Sequence, residues 1–212
     1  MTIRRAIAAV IAVACLDLLA PPLRAQVGKG LVDPNVAAES ELQTLPHMTS
    51  AIVKDLVAKR PFMSVLELNT FLLGAKLTPE QATNFYRKAF VHINLNTGTA
   101  PEILLIPRVG KRMTREFEEY RPWVSMAQFD KEIGKYVGAE ETNRLKQYVF
   151  IPLDLNTATD DQFKTIPNLG GNMLRELKEY RPWKTKAQFE KEIGKYVGAK
   201  ETARLWRFMT IK

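Results

Sequence analysis

The chain has 212 residues, with 31 Lys and Arg against 23 Asp and Glu, a net charge of +8. Its one cysteine, Cys15, excludes a disulfide scaffold and a thiolate metal site. A basic balance suits nucleic acid, an anionic lipid surface or an acidic protein, and charge alone does not choose among them.

Residues 1–25 read as a secretory signal. A basic start, "MTIRR", leads into the apolar run "AIAAVIAVACLDLLA", broken only by Asp17. "PPLRAQ" then places Leu23 and Ala25 at the −3 and −1 positions of a small-residue cleavage site. The run is short for a membrane span and no stop-transfer pattern follows. The expectation is cleavage after Ala25, a periplasmic or secreted protein, and no transmembrane segment in the mature chain. Lipid anchoring through Cys15 is the alternative; Ala12 stands where that signal prefers Leu. Losing Arg4, Arg5, Arg24 and Asp17 leaves 28 basic and 22 acidic residues, so the mature chain stays basic. Residues 26–32, around "QVGKG", read as a linker.

Beyond the linker the chain repeats itself. "KEIGKYVGA" occurs at 131–139 and 191–199, and "EYRPW" at 119–123 and 179–183, both at an offset of 60. A drifted copy begins at Asp33, where Asn35, Pro46, Arg60, Pro61 and Phe62 align with Asn96, Pro107, Arg121, Pro122 and Trp123 at an offset of 61. Repeats at such a period mark stacked supersecondary units. We therefore expect three units: 33–92, 93–152 and 153–212.

Within a unit the periodicity is helical, and no period-2 run suggests a strand, so the fold class is all-α. "APEILLIP" is a first short helix, stopped by Pro107. Thr99 and Glu102 have the spacing of a capping box, as do Thr159 and Gln162; Ala38 in the first unit cannot cap. "VGKRMTREFEEY" restarts the helix with Val109, Met113, Phe117 and Tyr120 on one side. "RPW" breaks it. "MAQFDKEIG" gives a third helix ending at Gly134, and "AEETNRLKQYVF" the last. Tyr120, Trp123 and Phe129, with Tyr180, Trp183 and Phe189, are candidate core residues. A 60-residue unit is marginal alone, so units should pack on one another.

Each unit has two tight bends between helices. In the second they are Arg108-Val109-Gly110 and Tyr136-Val137-Gly138; in the third, Asn168-Leu169-Gly170 and Tyr196-Val197-Gly198. At these residues, and at "LNTGTAPEILLIPRVG", "EYRPW" and "VGAEETNRLKQYV", the chain resembles the helix-hairpin-helix family, and most of all the ComEA-type competence DNA receptors. The likeness is close over about 120 residues and loose in the first unit. It implies a pair of hairpins per unit and DNA backbone binding without sequence preference. It also implies that Val109, Leu169, Val137 and Val197 are apolar plugs between helices.

The physics behind such a site is the set of unbonded N–H groups at a helix start, approached closely through glycine and favoured for anions by the helix dipole. The expected phosphate contacts are Arg108, Val109, Gly110, Lys111, Arg112 and Arg115; Asn168, Leu169, Gly170, Gly171 and Arg175; and Gly138 and Gly198. Four cations at one helix start oppose its dipole, and a bound anion would relieve this. The family pattern has glycine where this chain has Arg108, Asn168, Tyr136 and Tyr196, and Arg and Tyr take a left-handed backbone poorly. In the first unit, His47-Met48-Thr49 and Lys76-Leu77-Thr78 lack both glycines, so that unit keeps the fold and loses the phosphate site. Glu140, Glu141 and Glu201 near the later bends would repel phosphate.

Two histidines, no glycine-rich nucleotide loop and no metal-ligand spacing leave an enzyme without parts. We expect no catalytic residues, cofactor, metal or small-molecule substrate. The expected partner is DNA, with uptake as the process it suits, or alternatively a protein. In the second case the chain is a structural or interaction module, like the small lumenal extrinsic subunit of photosystem II that this fold also resembles.

Overall fold

The computed structural model describes residues 27–212; the expected signal lies outside the described residues. The chain is mostly helical. In order it forms α1 (Glu39–Leu42), α2 (Ser50–Lys59), α3 (Val65–Gly74), α4 (Pro79–Tyr86), β1 (Ile93–Asn94), α5 (Ala100–Ile103), α6 (Lys111–Glu119) and α7 (Met126–Lys146). Then come β2 (Val149–Phe150), β3 (Leu153–Asp154), α8 (Asp160–Phe163), α9 (Gly171–Glu179), α10 (Lys186–Trp206) and β4 (Met209–Thr210). Among these, no helix is long and apolar enough to cross a membrane.

The mostly helical chain agrees with the all-α class, to which the structure adds a few very short strands. β1 pairs with β2 and β3 with β4, both parallel and only two residues long. Two residues are too few for an alternating pattern to register. Each pair ties the start of a stretch to its end: Ile93 N–H donates to Tyr148 O at 2.9 Å, and Leu153 N–H to Phe208 O at 2.8 Å. Val32 N–H donates to Lys88 O at 2.9 Å and closes the earlier stretch the same way. The expected linker is packed, not free. Val27 is fully buried and bridges to Phe150, and Gly28 N–H donates to Val149 O at 3.1 Å. A Cβ on Gly28 would lie 2.2 Å from Lys146 O, which only glycine avoids.

The apolar face expected of α6 forms. Phe117 is buried, and Val109, Met113 and Tyr120 pack against the same core. That core is continuous from Ala37 to Ile151, so residues 33–92 and 93–152 share one interior instead of filling one each. A second core gathers Leu153 to Met209 together with Val27 and Phe150. Trp123 and Trp183 are buried, one in each core. Truncating either to Ala should cost about 3–5 kcal/mol.

"EYRPW" is scaffold. Asn96 Oδ1 accepts from Trp123 N–H at 2.6 Å, and its Nδ2 donates to Trp123 O at 2.9 Å. Asn156 does the same for Trp183, and Asn35 for Phe62. Arg121 donates to Leu95 O at 2.8 Å and to Gly98 O, and Arg181 to Leu155 O and Ala158 O. These two arginines are spent on loop carbonyls. The Arg-Pro bonds at 60–61, 121–122 and 181–182 are all cis.

Two helix boundaries move. α5 ends at Ile103, four residues before Pro107, with Leu104 as its C-cap still in helical conformation. The helix expected to stop at Gly134 runs on, and the break falls at Gly138 (φ 77°) inside α7 and at Gly198 (φ 74°) inside α10.

Candidate nucleic-acid interface

The bends form where the sequence places them, but the backbone strain is distributed differently. Arg108 (φ 69°), Asn168 (φ 56°), His47 (φ 64°) and Lys76 (φ 71°) do take the left-handed conformation. For a non-glycine residue this costs roughly 1–2 kcal/mol, least for Asn. Tyr136 and Tyr196 avoid it, because Gly138 and Gly198 carry the positive φ two residues later. The tyrosines are therefore no obstacle to the later bends. Val109 and Val137 pack on the first core, Leu169 and Val197 on the second.

The helix starts divide into two kinds. Thr49 caps α2 by accepting from Ile52 N–H at 3.3 Å. Thr78 caps α4 by accepting from Gln81 N–H, while Gln81 Oε1 accepts from Thr78 N–H at 2.8 Å. Ser64, Ser125 and Thr185 cap α3, α7 and α10. Thr159 and Gln162 form the expected box on α8. At α5, Thr99 and Glu102 form the expected box, and Glu102 accepts from both the N–H and the hydroxyl of Thr99. α6 and α9 begin instead at Gly110 and Gly170 with no side-chain cap and no acid in the first turn. In the repeat register, Gly110 and Gly170 replace Thr49, and Gly138 and Gly198 replace Thr78. Where the first stretch caps α2 and α4 with threonine and leaves α1 uncapped at Ala38, the later two leave amides free at the bends.

Gly110 is open: no atom would lie within 4 Å of an added Cβ. Lys111, Arg112 and Arg115 are exposed, and among the described residues none has a carboxylate within salt-bridge distance. Arg108 is different. Its Nη2 donates to Glu141 Oε2 at 2.7 Å. Glu141 also accepts from Arg144 Nε at 2.8 Å and Nη2 at 2.6 Å. The hydrogen bonds from Arg144, then the nearby charge of Arg108, hold the Glu141 carboxyl below the usual range. Arg108 is still 65% exposed, and such a pair contributes only ~0.2–1 kcal/mol.

This pair brings the two bends of residues 93–152 to one face. Arg112 reinforces it, with its guanidinium 5.9 Å from the Tyr136 ring centroid. Tyr136 in turn shares a 3.0 Å hydroxyl contact with Tyr120. Sequence reasoning placed Glu141 as a repellent acid. It missed the pairing because the partners lie 33 residues apart.

The third stretch is weaker. Gly170 and Gly171 are open, but Arg175 lies 3.3 Å from Glu176, and Lys178 pairs with Asp160 at 2.7 Å. Asn168 lines a cleft with Asp33 and Glu41, whose carboxylates oppose an anion there. At the later bends, Glu201 pairs with Arg204 at 2.7 Å and Lys195 pairs with Glu192, so Gly138 and Gly198 have few free cations beside them. Thus the structure gathers Arg108, Val109, Gly110, Lys111, Arg112 and Arg115 into one open patch and leaves Asn168, Leu169, Gly170, Gly171 and Arg175 apart. Among the described residues no group of His, Cys, Asp and Glu is arranged to hold a metal ion. Compared with family models, curated proteins and solved structures, the chain matches none.

Proposed function

We propose that the protein consists of three units of about 60 residues, each with two helix-hairpin-helix bends, and that it binds the DNA backbone without sequence preference. The observation that carries this is the replacement of the Thr49 cap by Gly110: free amides at the start of α6, with Lys111, Arg112 and Arg115 beside them and no carboxylate partner for these three among the described residues. Amides and cations at one helix start suit a phosphate and read no base edge. The first unit supplies scaffold, in keeping with the threonine caps that stand at its two bends in place of glycine. In an exported chain the role would be DNA capture during uptake. No enzyme chemistry is assigned.

Fluorescence anisotropy with two unrelated duplexes tests the reading. Equal affinities, weakening with salt, support it. Absence of binding at 50 mM salt refutes it. A protein-interaction role is the second reading, favoured by Glu141 occupying Arg108. Co-purification of one stable protein partner, with no DNA retained, would select it.

A further inference from the structure

The junction between the N-terminal stretch and residues 153–212 buries polar groups that do not satisfy one another. Arg207 Nη2 donates to His92 O at 2.9 Å, a contact spanning 115 residues. Arg207 Nη1 is closed off from solvent and has no hydrogen-bond partner. His92 is 2% exposed; neither ring nitrogen makes a well-formed hydrogen bond, although the backbone of Gly28 and of Gln147 lies near enough to the ring to favour its protonated form. Asp33 is 7% exposed; its Oδ1 accepts from Asn35 N–H at 2.9 Å, and its Oδ2 has no partner. Among the described residues no carboxylate reaches Arg207 within 4.0 Å. Buried polar groups without partners weaken the state that buries them, and a buried charge does so most. The apolar contact beside them, Phe150 against Phe208 at 4.8 Å, must hold the junction shut.

We propose that Asp33, His92 and Arg207 form an acid-sensitive clasp: neutral His92 keeps residues 153–212 docked, and acidification releases them. The charged groups acting on the ring are Asp33 from the N-terminal stretch and Arg207 from the C-terminal one; Arg207 in turn feels Asp33, Arg204, Glu102 and Glu67. Burial, reinforced by Arg207 and opposed by Asp33 and by the backbone of Gly28 and Gln147, holds the imidazole below its ordinary value of 6.5. The closed form therefore binds fewer protons than the open one. Its advantage is complete above 6.5 and is lost as pH falls below it, by up to about tenfold per pH unit for one histidine. Lowering the pH charges His92 beside a buried guanidinium, and opening solvates both.

Small-angle scattering of the intact protein at pH 7.5 and 5.0, with helicity followed in parallel, tests the clasp. The expected result is a larger radius of gyration at pH 5.0 with helicity kept, and no such change in His92→Gln. An unchanged radius, or the same expansion in His92→Gln, overturns the proposal. A proton-NMR titration of unmodified His92, assigned with His47→Gln, guards against a variant that fails to fold. Titration below 6.5 supports the clasp; titration at or above 6.5 overturns it.

Discussion

Arg108 and Glu141 are joined by a 2.7 Å hydrogen bond that crosses from one bend of residues 93–152 to the other. The pair places a carboxylate on the patch where a phosphate would sit. It is exposed at Arg108, so several phosphate contacts should displace it at low salt.

Glu141 is therefore a competitor for Arg108. Glu141→Gln should raise DNA affinity about threefold, the equivalent of an exposed ion pair. Glu140→Gln removes the same charge from a neighbouring residue with no bond to Arg108, and should have less effect. Equal effects from both would mean that only overall charge matters.

The cations act together. Replacing Lys111, Arg112 and Arg115 with Ala should weaken binding uniformly across sequences and lower the salt dependence by about three contacts. These residues are exposed, so thermal stability should stay near wild type. Weakened binding to one duplex only would argue against backbone recognition.

The displaced break makes opposite predictions for two nearby glycines. Gly138→Ala forces a side chain to φ 77° and should destabilise by about 1–2 kcal/mol. Gly134 is helical, and an added Cβ meets Thr142 Oγ1 at a comfortable 3.7 Å. Gly134→Ala should stabilise by about 0.5–1 kcal/mol. Urea melts of both variants decide, and the reverse order would put the break back at Gly134.

Asn96 ties the opening of its stretch to "RPW" through two hydrogen bonds to Trp123. Asn96→Ala leaves the half-buried N–H and C=O of that tryptophan unpartnered. The expected loss, read from denaturant midpoints, is about 2–3 kcal/mol.

These residues show what the sequence could and could not reveal. The 3.6-residue spacing of Val109, Met113, Phe117 and Tyr120 exposed the face of α6, because periodicity is a local signal. The bends showed through glycine and the repeat register. The bend at Gly138 was legible, but the helix before it was ended too early, at Gly134, because that glycine looks like a stop although it stays helical. The Asn96–Trp123, Arg108–Glu141 and His92–Arg207 contacts span 27, 33 and 115 residues and left no local trace. The shared core of residues 33–152 depends on how stretches pack, which no single stretch encodes. The patch was legible as residues; the carboxylate set into it was not.

The most direct test is the salt dependence of duplex DNA binding for wild type and Gly110→Thr. Threonine has room at this position, and its hydroxyl should cap α6 as Thr49 caps α2. For about four phosphate contacts, wild-type affinity should fall ~100-fold between 50 and 200 mM salt. Gly110→Thr should fold normally, bind several-fold more weakly and show a shallower slope. Wild-type affinity indifferent to salt, or a Gly110→Thr variant that binds DNA as tightly as wild type, would contradict the account.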